Sequence, residues 1–465
     1  FRADLRLHDN PALYHGAQSG PVVAIYTLCE QQWDKHSLSM NKRSFIVAQL
    51  KQLKSDLETL NIPLIILNGH NFKSSPDVLL NFCKQHSIDS LYFNEEYEVN
   101  ERVLTQNVEQ LANNHNIAVH KFHDQCLIEP GRVLNKQGLP YRVFTAFKKE
   151  YISRFKSDLR DIYPLVNPHA AQQTLVIKSD VSALDELGFG SFKNATLEVG
   201  EEKAHQQLND FCDSGLSQYN QHRDFPAIEG TSYVSAYLAV GILSVRQCYQ
   251  AAQAQNESEG KQTWISELIW RDFYRHLILL FPKLSKHKAF QSHTDQLPWL
   301  QDESFFKAWC EGQTGYPIVD AAMRQLNQTG WMHNRLRMIV AMFLTKHLFI
   351  DWRWGERYFM SCLMDADFAS NNGGWQWSAS TGVDAAPYFR IFSPVRQSER
   401  FDGNGDFIRQ YVPELASLDA KSIHSPSPEQ AQMLGYSLPI VDHKLAVAQT
   451  KKYFKALEKH AHIQK

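Results

Sequence analysis

The sequence predicts an α/β N-terminal domain, a parallel sheet flanked by helices, followed by a larger all-α domain. Three observations carry this. Short β-branched runs alternate with longer amphipathic stretches over the first 130 residues, and strand signals vanish from about residue 200 onward. Nine of the ten tryptophans also fall in the second half, between Trp264 and Trp377. A chain of 465 residues has room for two or three domains. The expected division is an α/β domain over 1–130, a connector over 131–199 and an all-helical domain over 200–465.

Val22-Val23-Ala24-Ile25-Tyr26 reads as a buried strand. Phe45 to Leu60 then reads as a helix, with apolar residues at 46, 47, 50, 53, 57 and 60. Pro63-Leu64-Ile65-Ile66-Leu67 is the next strand, Val78 to His86 a helix, and Ser90-Leu91-Tyr92-Phe93 a third strand. Strand–helix alternation at this spacing implies a parallel sheet. No G-x-G-x-x-G or P-loop follows any strand, and Gly188-Phe189-Gly190 lacks both a third glycine and a preceding strand. A Rossmann dinucleotide site is therefore unsupported. Residues from about 157 to 200 are weakly periodic and richer in Pro, Ser and Asp, as a connector would be. Further on, Pro317 opens a helix that Gly330 can close, with Ile318, Ala322 and Leu326 on one stripe. The next stripe runs Trp331, Met338, Met342.

Composition excludes several classes. At 43% hydrophobic and 21% charged the chain reads as globular and neither disordered nor membrane-embedded. Its longest apolar stretch, Met338 to Ile350, is broken by Lys346 and is too short to span a bilayer. Seven scattered cysteines without a C-x-x-C pair point to reduced thiols in a cytoplasmic setting, not to disulfides or a zinc cage. The net charge of −2 does not advertise nucleic acid, so a polyanion site must be a local patch. Residues 323–357 offer one, with six basic residues (Arg324, Arg335, Arg337, Lys346, Arg353, Arg357) against Asp351 and Glu356.

Five constellations carry chemistry. The tryptophan concentration suits a site where indoles stack on flat ligands and relay single electrons. Thr231, Ser232 and Ser235, in Gly230-Thr231-Ser232-Tyr233-Val234-Ser235, place three hydroxyls ahead of an apolar helix: a phosphate cradle or an ordinary N-cap. Glu267, Trp270 and Tyr274 share a helix face that could bind a base, unless Glu267 simply pairs with Arg271. Trp331, Asn334, Arg335 and Met338 form a similar face. The richest stretch runs from Asp365 to Trp377. Asp365 and Asp367 fail as a calcium loop because Ala369 and Ser370 occupy positions five and six. They suit a guanidinium or ribose hydroxyls instead. Asn371 and Asn372 offer amides, and Gly373-Gly374 lets backbone approach a flat ligand, the alternative being a structural Asn-Gly turn. No Ser/His/Asp set or metal-ligand spacing emerges, and His8, His222 and His333 read as structural.

Together these stretches make the chain recognisable. Phe1-Arg2-Ala3-Asp4-Leu5-Arg6-Leu7-His8-Asp9-Asn10 resembles the opening of the cryptochrome/photolyase family. Trp270-Arg271-Asp272-Phe273-Tyr274, Thr314 to Arg324 and Asn371 to Trp377 match it as closely, so the resemblance spans essentially the whole chain. Trp331-Met332-His333-Asn334-Arg335-Leu336-Arg337-Met338 is similar to the class I cyclobutane pyrimidine dimer photolyases in particular.

The resemblance implies that the all-α domain binds FAD, reduced in the active form. Tyr219, Thr231, Ser232, Val234, Ser235, Trp264, Arg271, Trp331, Asn334, Arg337, Asp365, Asp367 and Asn371 would hold it. Of these, Arg337 and Asp365 would pair beside the flavin ring and Asn371 would face N5. Glu267, Trp270, Asn334, Arg335, Met338, Trp377, Arg390 and Arg396 would receive DNA carrying a flipped dimer. Trp375, Trp352 and Trp299 would relay electrons to oxidised flavin, with Trp354 an extra indole beside them. Asn100, Glu101 and Lys286 match contacts to a 5,10-methenyltetrahydrofolate antenna in the α/β domain, although Ser285 stands where relatives can have Cys. The implied activity is light-driven dimer repair: excited reduced FAD donates an electron to the dimer and recovers it after ring splitting. The implied protein is a cytoplasmic monomer with no obligate protein partner. The alternative is a cryptochrome-like signalling flavoprotein without repair activity.

Overall fold

The computed structural model describes residues 1–169, 177–190, 192, 194 and 197–463. Residues 170–176, 191, 193, 195 and 196, within the expected connector, lie outside the described residues. The chain forms two compact units, Phe1–Ser217 with Ser232–Ser285, and Gln218–Thr231 with Lys286–Lys465. These units do not divide at residues 131 and 200, because helices Glu201–Ser214 and Glu259–Leu280 belong to the N-terminal one.

In the N-terminal unit the three expected strands form as β1 (Ala24–Leu28), β2 (Leu64–Asn68) and β3 (Ser90–Asn94). A fourth, β4 (Ala118–Phe122), carried no apolar run to betray it, since most of its residues are exposed. β1 pairs in parallel with β2, Ala24 opposite Leu64, and β3 with β4, Ser90 opposite Ala118. The described ladders are thus two parallel pairs and not one continuous sheet. The chain after Phe1 lies beside both pairs: its amino group donates to the Ile25 carbonyl at 2.7 Å, and the Arg2 guanidinium sits 4.5 Å over the Phe93 ring. The helix expected over 45–60 runs Met40–Glu58, starting earlier because Ser39 caps it by accepting from the Lys42 N–H.

Asp4, Arg6, Asp9 and Asn10 of the opening decapeptide are buried. Arg246 donates to Asp9 at 2.8 Å and to Asp124 at 2.7 Å, and Arg6 meets Asp124 at 2.5 Å. The Glu201 carboxylate accepts from the Leu7 and His8 N–H groups and from the His8 ring, so His8 is structural, as the sequence suggested. Burial alone would raise both carboxyls. Arg6 and Arg246 hold Asp124 down to about 2, and hydrogen bonds from His205, His8 and the Leu7 N–H hold Glu201 to about 2. Both folded values lie below the ~4 of an unfolded carboxylate. Their stabilisation is therefore complete above that value and is lost as pH falls through about 2. Resistance to urea, followed by circular dichroism, is expected to fall steeply once pH drops below ~4.

The C-terminal unit is helical among the described residues, apart from an isolated Leu300–Ile350 bridge. Helix Pro317–Thr329 opens on its proline and ends at Gly330, whose φ of 70° closes it as expected. Trp331 precedes the next helix, Asn334–Met342, for which His333 is the N-cap, so the Trp331–Met338–Met342 stripe is only partly helical. A π-helical turn, Phe343–His347, follows. Helices Trp352–Cys362 and Phe368–Ala379 pack around a core of Trp309, Met323, Leu336, Val340 and Phe359.

Candidate functional site

Helix Phe368–Ala379 starts where Asp367 accepts from the Ser370 N–H at 2.8 Å. Asn371 to Gly374 are helical, so the Asn-Gly turn reading is set aside. Two helix-interior glycines weaken a helix, and a Cβ at Gly374 would meet nothing within 4 Å, which leaves open space on that face. Glu356, 1% exposed, organises the asparagines. Its carbonyl accepts from Asn371 Nδ2 at 2.9 Å and its carboxylate from Asn372 Nδ2 at 2.7 Å. Fixing Asn371 Nδ2 on a carbonyl also fixes which way its amide oxygen points. His287 Nδ1 meets the same carboxylate at 2.9 Å, and that hydrogen bond raises the imidazole pKa.

Arg337 donates to Asp365 Oδ2 at 2.7 Å and to the Met332 carbonyl at 2.8 Å. Asp365 Oδ1 is buried and, like Thr231 Oγ1 and Asn220 Oδ1, has no hydrogen-bond partner among the described residues. Buried polar atoms are nearly always satisfied. Asp365 Oδ1 and Asn220 Oδ1 can accept from, and the Thr231 hydroxyl can donate to, a bound group that carries both N–H or O–H donors and phosphates, as FAD does. Tyr219 is buried, with the Arg223 guanidinium 5.2 Å from its ring centroid. Trp331 is half-buried, 6.3 Å from the His333 ring.

Of the proposed relay, Trp375 and Trp352 are buried and Trp299 is half-buried. None of their three indole N–H groups has a partner among the described residues. Trp375 is gripped by Phe359 at 5.0 Å and Trp309 at 6.0 Å, and its outer edge rests on Gly355. Trp354 packs edge-on against Phe306 at 5.1 Å.

The basic excess over 323–357 is not a free patch. Arg324 pairs with Glu414, Arg335 with Asp224, Arg337 with Asp365, and Arg353 with Asp351 and Asp295. Lys346 is fully buried, leaving Arg357 as the exposed member of the set. Asn334 is exposed, and Met338 and Trp377 are half-buried. Arg335 also lies 4.5 Å over the Phe401 ring. Arg390 and Arg396 are exposed, and beside Arg390 stands Phe389, 61% exposed, which nothing in the sequence singled out.

In the N-terminal unit, Ser232 Oγ accepts from Trp264 Nε1 at 3.3 Å. The short helix Ser235–Val240 has Val234 as N-cap and no side-chain cap bond, so the N-cap reading of these hydroxyls is corrected. Helix Glu259–Leu280 leaves Glu267, Trp270, Arg271 and Tyr274 half-buried on one stripe, while Trp264, Ile265, Leu268 and Phe273 are buried. Phe144 stacks on Trp270 at 3.6 Å and 9°, and the Tyr274 ring lies 5.6 Å from the same indole at 34°. Arg271 donates to the Gln125 carbonyl and to Asp272.

Asn100 Nδ2 lies 3.1 Å from His36 Nε2. Glu101 is buried, and burial followed by Glu98 and Glu96 raises its pKa well above the carboxylate range. Glu101 Oε2 and Ser285 Oγ have no hydrogen-bond partner among the described residues. A protonated Glu101 can donate to a ring nitrogen or a carbonyl. Lys286 is exposed and belongs to the C-terminal unit.

Residues 1–166 match the family described as DNA photolyase, and residues 264–456 match the FAD binding domain of DNA photolyase. The deoxyribodipyrimidine photo-lyase of Vibrio cholerae is 45% identical over 458 residues, 96% of each chain. The chain belongs to the DNA photolyase family. Among solved structures, a bacterial class III photolyase from Agrobacterium tumefaciens superposes with a TM-score of 0.87 at 35% identity, covering 99% of this chain and 97% of its own. A cryptochrome from Synechocystis gives 0.85 at 28% identity, covering 97% and 98%. The photolyase FAD-binding region begins at Trp264 and so contains the whole tryptophan cluster. Gly355 and Glu356, which hold Trp375 and Asn371, were not singled out, because one sequence gives no sign of which indole or amide they touch.

Proposed function

We propose that this photolyase repairs pyrimidine dimers in DNA, with Asp365, Arg337 and Asn371 holding the flavin ring of FAD. When bound, reduced and excited by light, FAD supplies an electron that splits the cyclobutane ring and then returns, so no net redox occurs. The chain's own residues bind, orient and exclude water. Asp365 Oδ1, buried and unpartnered among the described residues, is the observation that carries this placement. With Oδ2 occupied by Arg337, it accepts from a donor at the ring edge. Asn371, clamped by the Glu356 carbonyl, turns its amide oxygen to N5. Tyr219, Thr231, Ser232, Val234, Ser235, Trp264, Arg271, Trp331 and Asp367 serve the rest of the cofactor, the hydroxyls taking its phosphates. Trp299, Trp352 and Trp375 pass electrons inward.

Glu267, Trp270, Asn334, Arg335, Met338 and Trp377 take the flipped dimer, and Arg390 and Arg396 take backbone phosphates. Flipping costs a few kcal/mol, less for a damaged base, and stacking on Trp270 and Trp377 returns about 1–3 kcal/mol per base. Asn100, Glu101 and Lys286 hold a 5,10-methenyltetrahydrofolate antenna. We read 1–130, 131–199 and 200–465 as functional segments of a cytoplasmic monomer of the class I kind. No helix among the described residues is long and apolar enough to cross a membrane.

Binding in the dark tests the lesion pocket. A thymine-dimer duplex is expected to bind more tightly than the undamaged duplex, with both affinities falling as salt rises. Glu267→Ala is expected to lower repair yield per absorbed photon with FAD still bound, because the carboxyl group hydrogen-bonds the dimer and steadies charge developing on it. Equal binding of damaged and undamaged DNA favours signalling without repair, and an unchanged yield removes Glu267 from the reaction.

A further inference from the structure

Lys346, read from sequence as a phosphate-binding cation, is fully buried in the π-helical turn Phe343–His347. Its Nζ donates to Ser380 Oγ at 2.8 Å and to the Ala379 carbonyl at 3.1 Å, at the end of the helix that carries Asn371, Trp375 and Trp377. Ser380 Oγ donates onward to the Ala386 carbonyl at 2.6 Å, and the Ala386 N–H returns to the Trp377 carbonyl at 3.2 Å. On its other side Lys346 Nζ lies 4.0 Å from the Phe454 ring centroid, in the C-terminal helix His443–Ile463. Phe454 in turn stacks on Tyr388 at 5.3 Å and 1°. Thr450 Oγ1 binds the Lys346 carbonyl at 2.7 Å, which pins the same helix to the turn. One amine therefore anchors both ends of the segment 380–388, and the next two residues are exposed Phe389 and Arg390.

We propose that Lys346, acting through Ser380 and Phe454, is a positioning residue that presents Phe389 and Arg390 to DNA. A buried ammonium beside an aromatic ring and no carboxylate is costly, and burial does lower the Lys346 pKa well below its usual value. A neutral amine has two N–H donors, and both are used here. Those two hydrogen bonds offset the cost of burying the amine. The proposal rests on Arg390 belonging to the DNA face, as read above, whereas the latch itself does not.

Two variants of the FAD-loaded protein test it. Lys346→Met removes the amine. Ser380→Gly removes the hydroxyl link and relieves a residue held at φ 61°, two effects of opposite sign on folding, so its Tm should stay close to the parent's. The expected result is faster amide exchange over 381–390 without DNA in both variants. With it, the Kd for a thymine-dimer duplex in the dark rises about three- to tenfold, the scale of one lost hydrogen bond. Repair yield per bound dimer stays at the parent value. A merely structural role would lower Tm in step with affinity, which Ser380→Gly should not do. Unchanged exchange over 381–390 in Ser380→Gly overturns the latch. Faster exchange with unchanged Kd overturns its role at the DNA face. Should the parent protein show no repair at all, the exchange and Kd measurements still decide the proposal.

Discussion

Trp375→Phe is expected to leave FAD bound and oxidised when the protein is illuminated with an external thiol, under conditions in which the parent becomes reduced. Trp375 is 2% exposed and cannot take up electrons from solvent itself, so in the proposed relay it passes them inward. A phenyl ring gives up an electron far less readily than an indole, so the substitution breaks the relay while largely keeping the shape. The site is built around this ring. A Cβ at Gly355 would lie 2.1 Å from Trp375 Cη2, so only glycine lets the indole rest on helix Trp352–Cys362. Gly355→Ala should therefore slow photoreduction in the same direction by displacing the ring. Loss of the oxidised-flavin absorption band under light measures both effects. Chemically reduced Trp375→Phe should still repair dimers, because the relay serves only to prepare the cofactor. Unimpaired photoreduction in Trp375→Phe would remove this residue from the electron path.

Arg246→Leu is expected to destabilise the N-terminal unit by about 3–5 kcal/mol, the cost of leaving a buried charge unpaired. Asp9 is fully buried, with Arg246 as its guanidinium partner at 2.8 Å. Asp124 keeps Arg6 at 2.5 Å, so Asp9 bears most of the damage. Asp9→Asn combined with Arg246→Leu should recover much of the loss, since the pair's desolvation cost vanishes with it. Urea unfolding of the three proteins checks this, and equal midpoints would show that the charge cluster is dispensable.

The fold class was legible because three strands and the Pro317–Gly330 helix carry strong local signals: β-branched runs, a proline at N1 and a glycine at C′. β4 was not, because an edge-like strand with exposed residues has no apolar run. Residue types around the site were legible, since unusual polar and aromatic residues cluster in Asp365 to Trp377. Partners were not. Charge counting placed Lys346 on a phosphate surface, whereas tertiary packing buries it and pairs most of the neighbouring arginines with carboxylates distant in sequence, such as Asp224 and Glu414. Contacts of that range follow from the fold and not from local spacing.

The most direct test of the account is to illuminate the purified protein, its FAD reduced and bound, with thymine-dimer DNA. Absorbance near the undamaged-base band is then followed against a dark control. Recovery is expected under blue or near-ultraviolet light and none in the dark. No recovery under light, with FAD still reduced and bound, would contradict it.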